Sequence, residues 1–293
     1  MSTRHVETPD GRTLRVHEGG DPSGAIVVYQ HGTPSDGRLY EPWVDDAKRR
    51  GIRLVGYDRP GYGGSTRHPG RKVADAARDV ETVVGALGGG GFATWGISGG
   101  APHALACAAD AVSAGELVAA ASLAAPAPYG AAGLDWLAGM GEGNVAEFSA
   151  SLEGEVALRP MLDEIGRGML SATPDQIREE MASVLSPVDF DVFSGALAEY
   201  LHATLHGALD GGVDGWLDDD LAFVDDWGFA PGPLHAPTLL LQGEHDLMVP
   251  PAHFRWLADH LPNVEARFDP GEGHLTLYER VVPAVHEWLV RFF

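Results

Sequence analysis

The sequence is poor in cysteine and in positive charge, and it has no long apolar run. A single cysteine, Cys107, among 293 residues excludes an intramolecular disulfide. It stands in an alanine-rich stretch and reads as a small buried apolar side chain, not a nucleophile. No segment approaches the roughly 20 apolar residues that span a bilayer. The first residues, Met1-Ser2-Thr3-Arg4-His5-Val6-Glu7, carry no apolar signal core, so the expected compartment is the cytoplasm, without a membrane partner. Lys and Arg number 20 against 42 Asp and Glu, a formal charge of −22. Such a surface repels phosphate backbones, and nucleic acid is not an expected partner.

The apolar fraction of 44% is ordinary for a folded protein and supplies material for a covered sheet. His5 to Thr8 and Thr13 to His17 read as a hairpin around Asp10-Gly11. Short apolar strands then alternate with helices. Strands are expected at Ala25–Tyr29, Arg53–Tyr57, Phe92–Trp95, Leu117–Leu123, Thr238–Leu241 and Val264–Phe268. Helical spacing marks Leu39, Trp43, Val44 and Ala47; Val73, Ala76, Ala77, Val80, Val83, Val84 and Leu87; and Ala104, Leu105, Ala108 and Val112. It recurs at Phe254, Leu257, Ala258 and Leu261, and at Val281, Val285, Trp288 and Phe292. This alternation predicts an α/β protein with a mostly parallel, doubly covered sheet. Between Ala127 and His235 the strand signal disappears. Residues 1–126 and 236–293 are therefore expected to form the core, with 127–235 a helical insertion on it. Thr173-Pro174-Asp175-Gln176 is a helix start with a capping box, and Phe193, Leu197, Tyr200, Leu201 and Thr204 share a stripe. The run Gly88 to Gly91 is a helix-to-strand turn rather than a phosphate loop, since no Lys-Ser/Thr follows.

The chemistry begins at Gly96-Ile97-Ser98-Gly99-Gly100, between an apolar strand and a helix. A serine hydroxyl attacks only if a base can reach it. A sharp strand-to-helix turn lifts it clear, and that turn tolerates only small neighbours such as Gly96 and Gly100. Pro102 suits the first helical turn, where no amide donor is needed. Leu239 to Asp246 is an apolar strand ending in a loop carboxylate, and Asp269-Pro270-Gly271-Glu272-Gly273-His274 a strand end followed by a glycine loop and a histidine. Ser98, Asp246 and His274 thus follow the carboxyl ends of parallel strands, the edge where open α/β sheets bind ligands.

Taken together, these motifs resemble the α/β-hydrolase family across nearly the whole chain outside the insertion. His31-Gly32-Thr33-Pro34 resembles its oxyanion loop, and Tyr57-Asp58-Arg59-Pro60-Gly61-Tyr62-Gly63-Gly64-Ser65 its Asp-x-x-Gly-x-Gly-x-Ser loop. The serine turn, the Gly-x-x-Asp loop (Gly243 to Asp246) and the Gly-x-Gly-His loop follow in the family's order. The resemblance implies a cap built from the insertion, and a triad of Ser98, Asp246 and His274. It also implies backbone donors for an oxyanion at Thr33 and Gly99, with His31, Gly32, Gly96 and Gly100 as support. No metal or organic cofactor is implied. Epoxide hydrolases and dehalogenases on this scaffold use an aspartate nucleophile, which Ser98 replaces.

Other residues compete for these roles. Glu244 and Glu272 are alternative acids outside the matching loop position; Asp269 reads as a turn residue, and His245 and Asp58 as loop residues. His31 is expected to bond backbone beneath the oxyanion loop, and His103 to pack. His202 and His206 are four apart but lack a companion acid, so a solvated helix face is expected in place of a metal site. Asp218-Asp219-Asp220 reads as a solvated run or helix cap. Trp136, Met140, Phe148, Met161, Met169, Trp216, Trp227 and Phe229 either line an apolar acyl pocket or bind the insertion to the sheet. The leading reading is hydrolysis of an apolar carboxylic ester or lactone through an acyl-enzyme, the expected partner being a small molecule. Aminopeptidase, thioesterase and carbon–carbon bond hydrolase share the triad. The elbow Gly-Ile-Ser-Gly-Gly and the loop Asp58-Arg59-Pro60-Gly61 depart from the proline-iminopeptidase pattern. A hydrolase-like small-molecule receptor is the reading of a different class.

Overall fold

Eight strands join into one sheet in the computed structural model, which describes residues 1–110 and 116–293. They are β1 (Ser2–Glu7), β2 (Thr13–Gly20), β3 (Ala25–Gln30), β4 (Ile52–Tyr57), β5 (Phe92–Ile97), β6 (Leu117–Leu123), β7 (Thr238–Gly243) and β8 (Val264–Asp269). Their spatial order is β1-β2-β4-β3-β5-β6-β7-β8. The opening hairpin is antiparallel to the rest, and β3 through β8 pair in parallel. Because β4 lies on one side of β3 and β5 on the other, the connections leaving β3 and β5 diverge. The carboxyl ends of those two strands border the crevice typical of such a switch point.

Central strands buried on both faces need apolar residues at every position, and β5 is buried throughout. Ala93, Trp95 and Ile97 pack on one side with Trp43 of α1 (Glu41–Arg49) and Val285 and Trp288 of α11 (Val282–Leu289). Phe92 points the other way, toward Val80, Val83 and Val84 of α2 (Ala76–Ala86) and Cys107 of α3 (Ala101–Ala109). Burial pushes the Cys107 thiol pKa up, in keeping with a packing role. Val112 lies outside the described residues.

Between β6 and β7 run six α-helices: α4 (Glu142–Glu153), α5 (Glu155–Ser171), α6 (Pro174–Glu180), α7 (Pro187–Val192), α8 (Gly195–Leu209) and α9 (Asp214–Val224). Thr173 caps α6 with the expected reciprocal box, its hydroxyl accepting from the Gln176 amide at 3.3 Å. Leu197 and Tyr200 of α8, with Phe193 just before it, turn into the main core. Helix α10 (Pro251–His260) covers the far end of the sheet. No helix among the described residues is long and apolar enough to cross a membrane.

Burial keeps several histidines neutral, against the pull of their hydrogen-bond partners. His253 Nδ1 accepts the Ala127 amide at 3.0 Å, so its proton sits on Nε2, facing the Trp136 carbonyl at 2.9 Å. Burial brings His253 and His103 to about 4, and also lowers His31 and His286. These groups stay neutral in the fold while the unfolded chain binds their protons near pH 6.5, so folding stability is lost as pH falls. Only His274 among the shifted histidines moves the other way. We expect the urea midpoint to drop between pH 6.5 and 4, each lowered group contributing up to about 1.4 kcal/mol per pH unit. A midpoint constant across that window contradicts this reading.

Candidate active site

Ser98 opens a 3-10 turn directly after β5 and sits at φ +55°, a left-handed backbone that a non-glycine residue adopts only under constraint. The constraint is close packing. A methyl group on Gly96 would collide with the Gly100 carbonyl, and one on Gly100 with the carbonyls of Gln30 and His31. Both glycines are therefore required for the turn to close against β3. Ser98 remains partly exposed while Gly99 and Gly100 are buried, so the hydroxyl is the group presented.

The sheet register delivers the partners. Gln30 pairs with Gly96, Ile97 with Leu123, Leu123 with Leu241, and Gly243 with Asp269. The loops carrying Thr33, Ser98, Asp246 and His274 therefore leave one edge. Asp246 is buried, and its Oδ1 accepts the amides of Met248 at 2.9 Å and Val249 at 2.8 Å. Its Oδ2 accepts the Gln242 side-chain amide at 3.0 Å and meets His274 Nδ1 at 2.8 Å. This leaves Nε2 as the free ring nitrogen of His274. Burial opposes the imidazolium, but the Asp246 carboxylate outweighs it and holds His274 above its usual value. Gly243 permits the contact, since a methyl there would strike the Glu272 and Gly273 carbonyls at 2.5 Å.

Two connected chambers meet at Ser98. The larger, about 410 Å³, is lined by Thr33, Ser98, Gly99, Phe148 and Trp216 among others. The smaller, about 100 Å³, has Ser98 and His274 in its wall. Of the eight apolar residues that sequence left unsorted, Met140, Phe148, Met169 and Trp216 line the larger chamber; Trp136, Met161, Trp227 and Phe229 do not.

Two residues that the sequence reading did not single out hold the site together. Arg59 reaches under the His31-Gly32-Thr33-Pro34 loop: its guanidinium donates to the carbonyls of His31 and Gly32 and, at 3.0 Å, to Thr33 Oγ1. The imidazole of His31 bridges the same loops as expected, accepting the Arg59 amide at 3.0 Å and facing the Gly32 carbonyl at 2.8 Å. The second residue is Asp189 of α7. Its carboxylate accepts the amides of His274 at 2.9 Å, Leu275 at 2.6 Å and Thr276 at 3.1 Å, and the Ser186 hydroxyl at 2.7 Å. A methyl on Gly273 would occupy the place of that carboxylate. Ser186-Pro187-Val188-Asp189 is a recognisable helix start, but nothing local reveals a partner 85 residues away.

The expectation of a solvated Asp218-Asp219-Asp220 run is corrected: all three are buried. Asp219 receives Arg59 at 2.6 Å, Arg71 at 2.5 Å, the Tyr62 hydroxyl at 2.8 Å and the Thr33 hydroxyl at 2.7 Å. Burial opposes its ionisation, yet the two guanidiniums hold it well below the usual carboxylate range. Asp218 takes both ends of Arg67 at 2.8 Å. A helix adjacent to the core, not the solvent, is what surrounds these acids. His202 and His206 are likewise half-buried instead of solvated, their rings 4.3 Å apart and His202 Nε2 3.1 Å from the Ala172 carbonyl. No metal-binding group of three or more such side chains occurs among the described residues. His103 is packed, with Nδ1 3.4 Å from the Val73 carbonyl, and Asp269 accepts the Gly271 amide; Glu244, weighed as an alternative acid, and the loop residue His245 are exposed. Asp58 ties down its loop at the Gly64 amide, and also takes the Gly37 amide.

Residues 25–148 match the sequence profile of the alpha/beta hydrolase fold. A probable oxidoreductase EphD of Mycobacterium tuberculosis is 35% identical over 91 residues, 30% of this chain and 15% of that protein. Epoxide hydrolase A of the same organism is 30% identical over 85 residues, 29% of this chain and 26% of that one. The matches thus span a small part of these relatives. Among solved structures, a thermophilic esterase from Thermogutta terrifontis superposes with a TM-score of 0.71 at 22% identity, covering 100% of this chain and 99% of that one.

Removing Asp219 leaves two buried guanidiniums uncompensated. Asp219→Ala is expected to lower unfolding free energy by about 3–5 kcal/mol in urea titration. A loss below about 1 kcal/mol, the range of a surface pair, contradicts the bridging role.

Proposed function

We propose that this chain, whose residues 25–148 match the alpha/beta hydrolase fold profile, is a serine hydrolase acting on a small carboxylic ester or lactone. One observation carries the reading. A serine held in left-handed backbone shares a chamber wall with a histidine whose far nitrogen is bound to a buried carboxylate. Ser98 Oγ attacks the acyl carbon and its proton passes to His274 Nε2. The carbonyl oxygen becomes an oxyanion at the amides of Thr33 and Gly99, and the alcohol leaves with the proton from His274. Water then attacks the acyl-enzyme, giving its proton to the same nitrogen, and Ser98 is restored. Asp246 fixes the proton on Nδ1 and stabilises the imidazolium.

The helices between β6 and β7 serve in this reading as a cap, closing the larger chamber over Ser98 with Met140, Phe148, Met169 and Trp216. Those apolar walls suit an apolar acyl or alcohol group. The relatives include an epoxide hydrolase. Here the residue on the turn is Ser98, and a hydroxyl nucleophile activated by a neutral imidazole suits acyl transfer.

Two outcomes are expected. A fluorophosphonate probe labels the wild-type protein on Ser98. Ser98→Ala takes no label and loses p-nitrophenyl ester hydrolysis by a factor of about 10⁴ or more; tight ligand binding without labelling or turnover would instead indicate a receptor. Catalysis requires neutral His274, so kcat/KM falls on acidification. With the imidazole raised by Asp246, the acid limb lies above pH 6.5. Asp246→Asn moves that limb down and lowers kcat by about 10⁴. A wild-type limb below 6.5 contradicts the assigned role of the pair.

A further inference from the structure

Three carboxyl side chains line the larger chamber and no step of acyl transfer uses them; Glu180 is exposed, and the other two face each other. Glu147 of α4 and Asp220 of α9 both line it, among methionines and aromatic rings. Asp220 is fully buried, and no N–H or hydroxyl among the described residues donates to either of its oxygens; the polar group it faces is the Glu147 carboxyl. Its neighbour Asp219 shows what a satisfied acid in this helix looks like, with Arg59, Arg71, Tyr62 and Thr33 around it. Those nearby guanidiniums are committed to Asp219. Glu147 is half-buried and takes the indole N–H of Trp216 at 2.8 Å.

Burial first, and then the charge of Glu147, push the Asp220 carboxyl well above the usual range; burial also raises Glu147. Two neighbouring carboxyls in an apolar chamber do not both ionise, so the pair carries at most one negative charge. The pair shares its chamber with Ser98 and Gly99. Asp220 and Phe223 lie three residues apart on one face of α9, and Phe223 Cζ is 3.1 Å from where a Cβ on Gly99 would stand. The Cα atoms of Asp220 and Phe223 are therefore about 4.5 Å apart along the helix axis.

We infer that Glu147 and Asp220 form a subsite for a protonated amine carried by the substrate, set in the wall of the chamber that presents Ser98. The sign of the charge rules out a carboxylate or phosphate at this wall. A hydroxyl would leave the buried charge uncompensated, whereas an ammonium neutralises it and donates to both acids. A metal ion is disfavoured because no third ligating group joins the pair among the described residues. The placement of the scissile carbonyl rests on the serine-hydrolase reading; the subsite itself can be read by binding alone.

Two isosteric substrate pairs locate the amine. p-Nitrophenyl 6-aminohexanoate against p-nitrophenyl heptanoate places it on the acyl side. 4-(Aminomethyl)phenyl acetate against 4-ethylphenyl acetate places it on the alcohol side. At pH 7 the wild type is expected to favour the amine member of one pair by about tenfold or more in kcat/KM. That ratio falls toward one in Glu147→Gln and in Asp220→Asn. Each ratio comes from one preparation, so loss of folded protein cancels. Amine members no better than their isosteres in both pairs, or a preference that survives both substitutions, overturns the subsite. If the wild type turns over no ester and Ser98 takes no label, acyl transfer fails separately, and calorimetric titration with n-hexylamine and n-hexanol decides the subsite. Binding of the amine only, weakened in Asp220→Asn, supports it; equal binding of both, or of neither, overturns it.

Discussion

The hydrogen bond between Asp246 and His274 is the contact on which the rest of the edge depends. It joins two loops that leave neighbouring parallel strands, and its 2.8 Å geometry exists only because β7 and β8 pair from Thr238–Val264 to Gly243–Asp269. A one-residue slip would turn the strands' side chains over and carry the loops apart. Gly243 then lets the loops touch, and two amides with Gln242 fix the carboxylate before the imidazole arrives. The oriented imidazole is thus a consequence of sheet register and of a missing methyl group.

The helices between β6 and β7 act on this edge from above. Asp189 gathers the three amides at the start of the His274 segment, and Asp219 draws Arg59 and Thr33 of the oxyanion loop together. Both carboxylates belong to the helical segment, while the loops they hold belong to the sheet. The helical segment and the sheet-edge loops are therefore coupled: displacing α7 would disturb the His274 segment, and displacing α9 the contacts of Arg59 and Thr33. A net charge of −22 gives no hint of this, since part of the acidity is spent inside on backbone amides and guanidiniums.

Much of the architecture was legible in the chain. Period-two and period-3.6 patterns located the strands and covering helices, with ends differing by one to three residues, as at β5, which continues through Ile97. The Asp246–His274 contact was legible because Asp246 follows the apolar strand β7 and Gly243, and His274 follows β8 and Gly271-Glu272-Gly273; Ser98 stands out between Gly96 and Gly99-Gly100 after β5. What escaped were relations between distant segments. The Asp218–Asp220 run has the composition of a solvated face, and only its packing against Arg59, Arg67 and Arg71 buries it. Asp189 drew no notice in the sequence, and the aromatic and Met residues could not be sorted, because both outcomes need the same apolar side chains. Pairing across 85 to 186 residues leaves no periodic trace.

A crystal structure of the protein after reaction with a fluorophosphonate would test the account most directly. The account predicts phosphorus bonded to Ser98 Oγ, the phosphonyl oxygen about 2.7–3.1 Å from the amide nitrogens of Thr33 and Gly99, and His274 Nε2 within hydrogen-bond reach of the adduct. An adduct on another residue, or one on Ser98 with the His274 ring more than about 5 Å away and its oxygen in solvent, would contradict it.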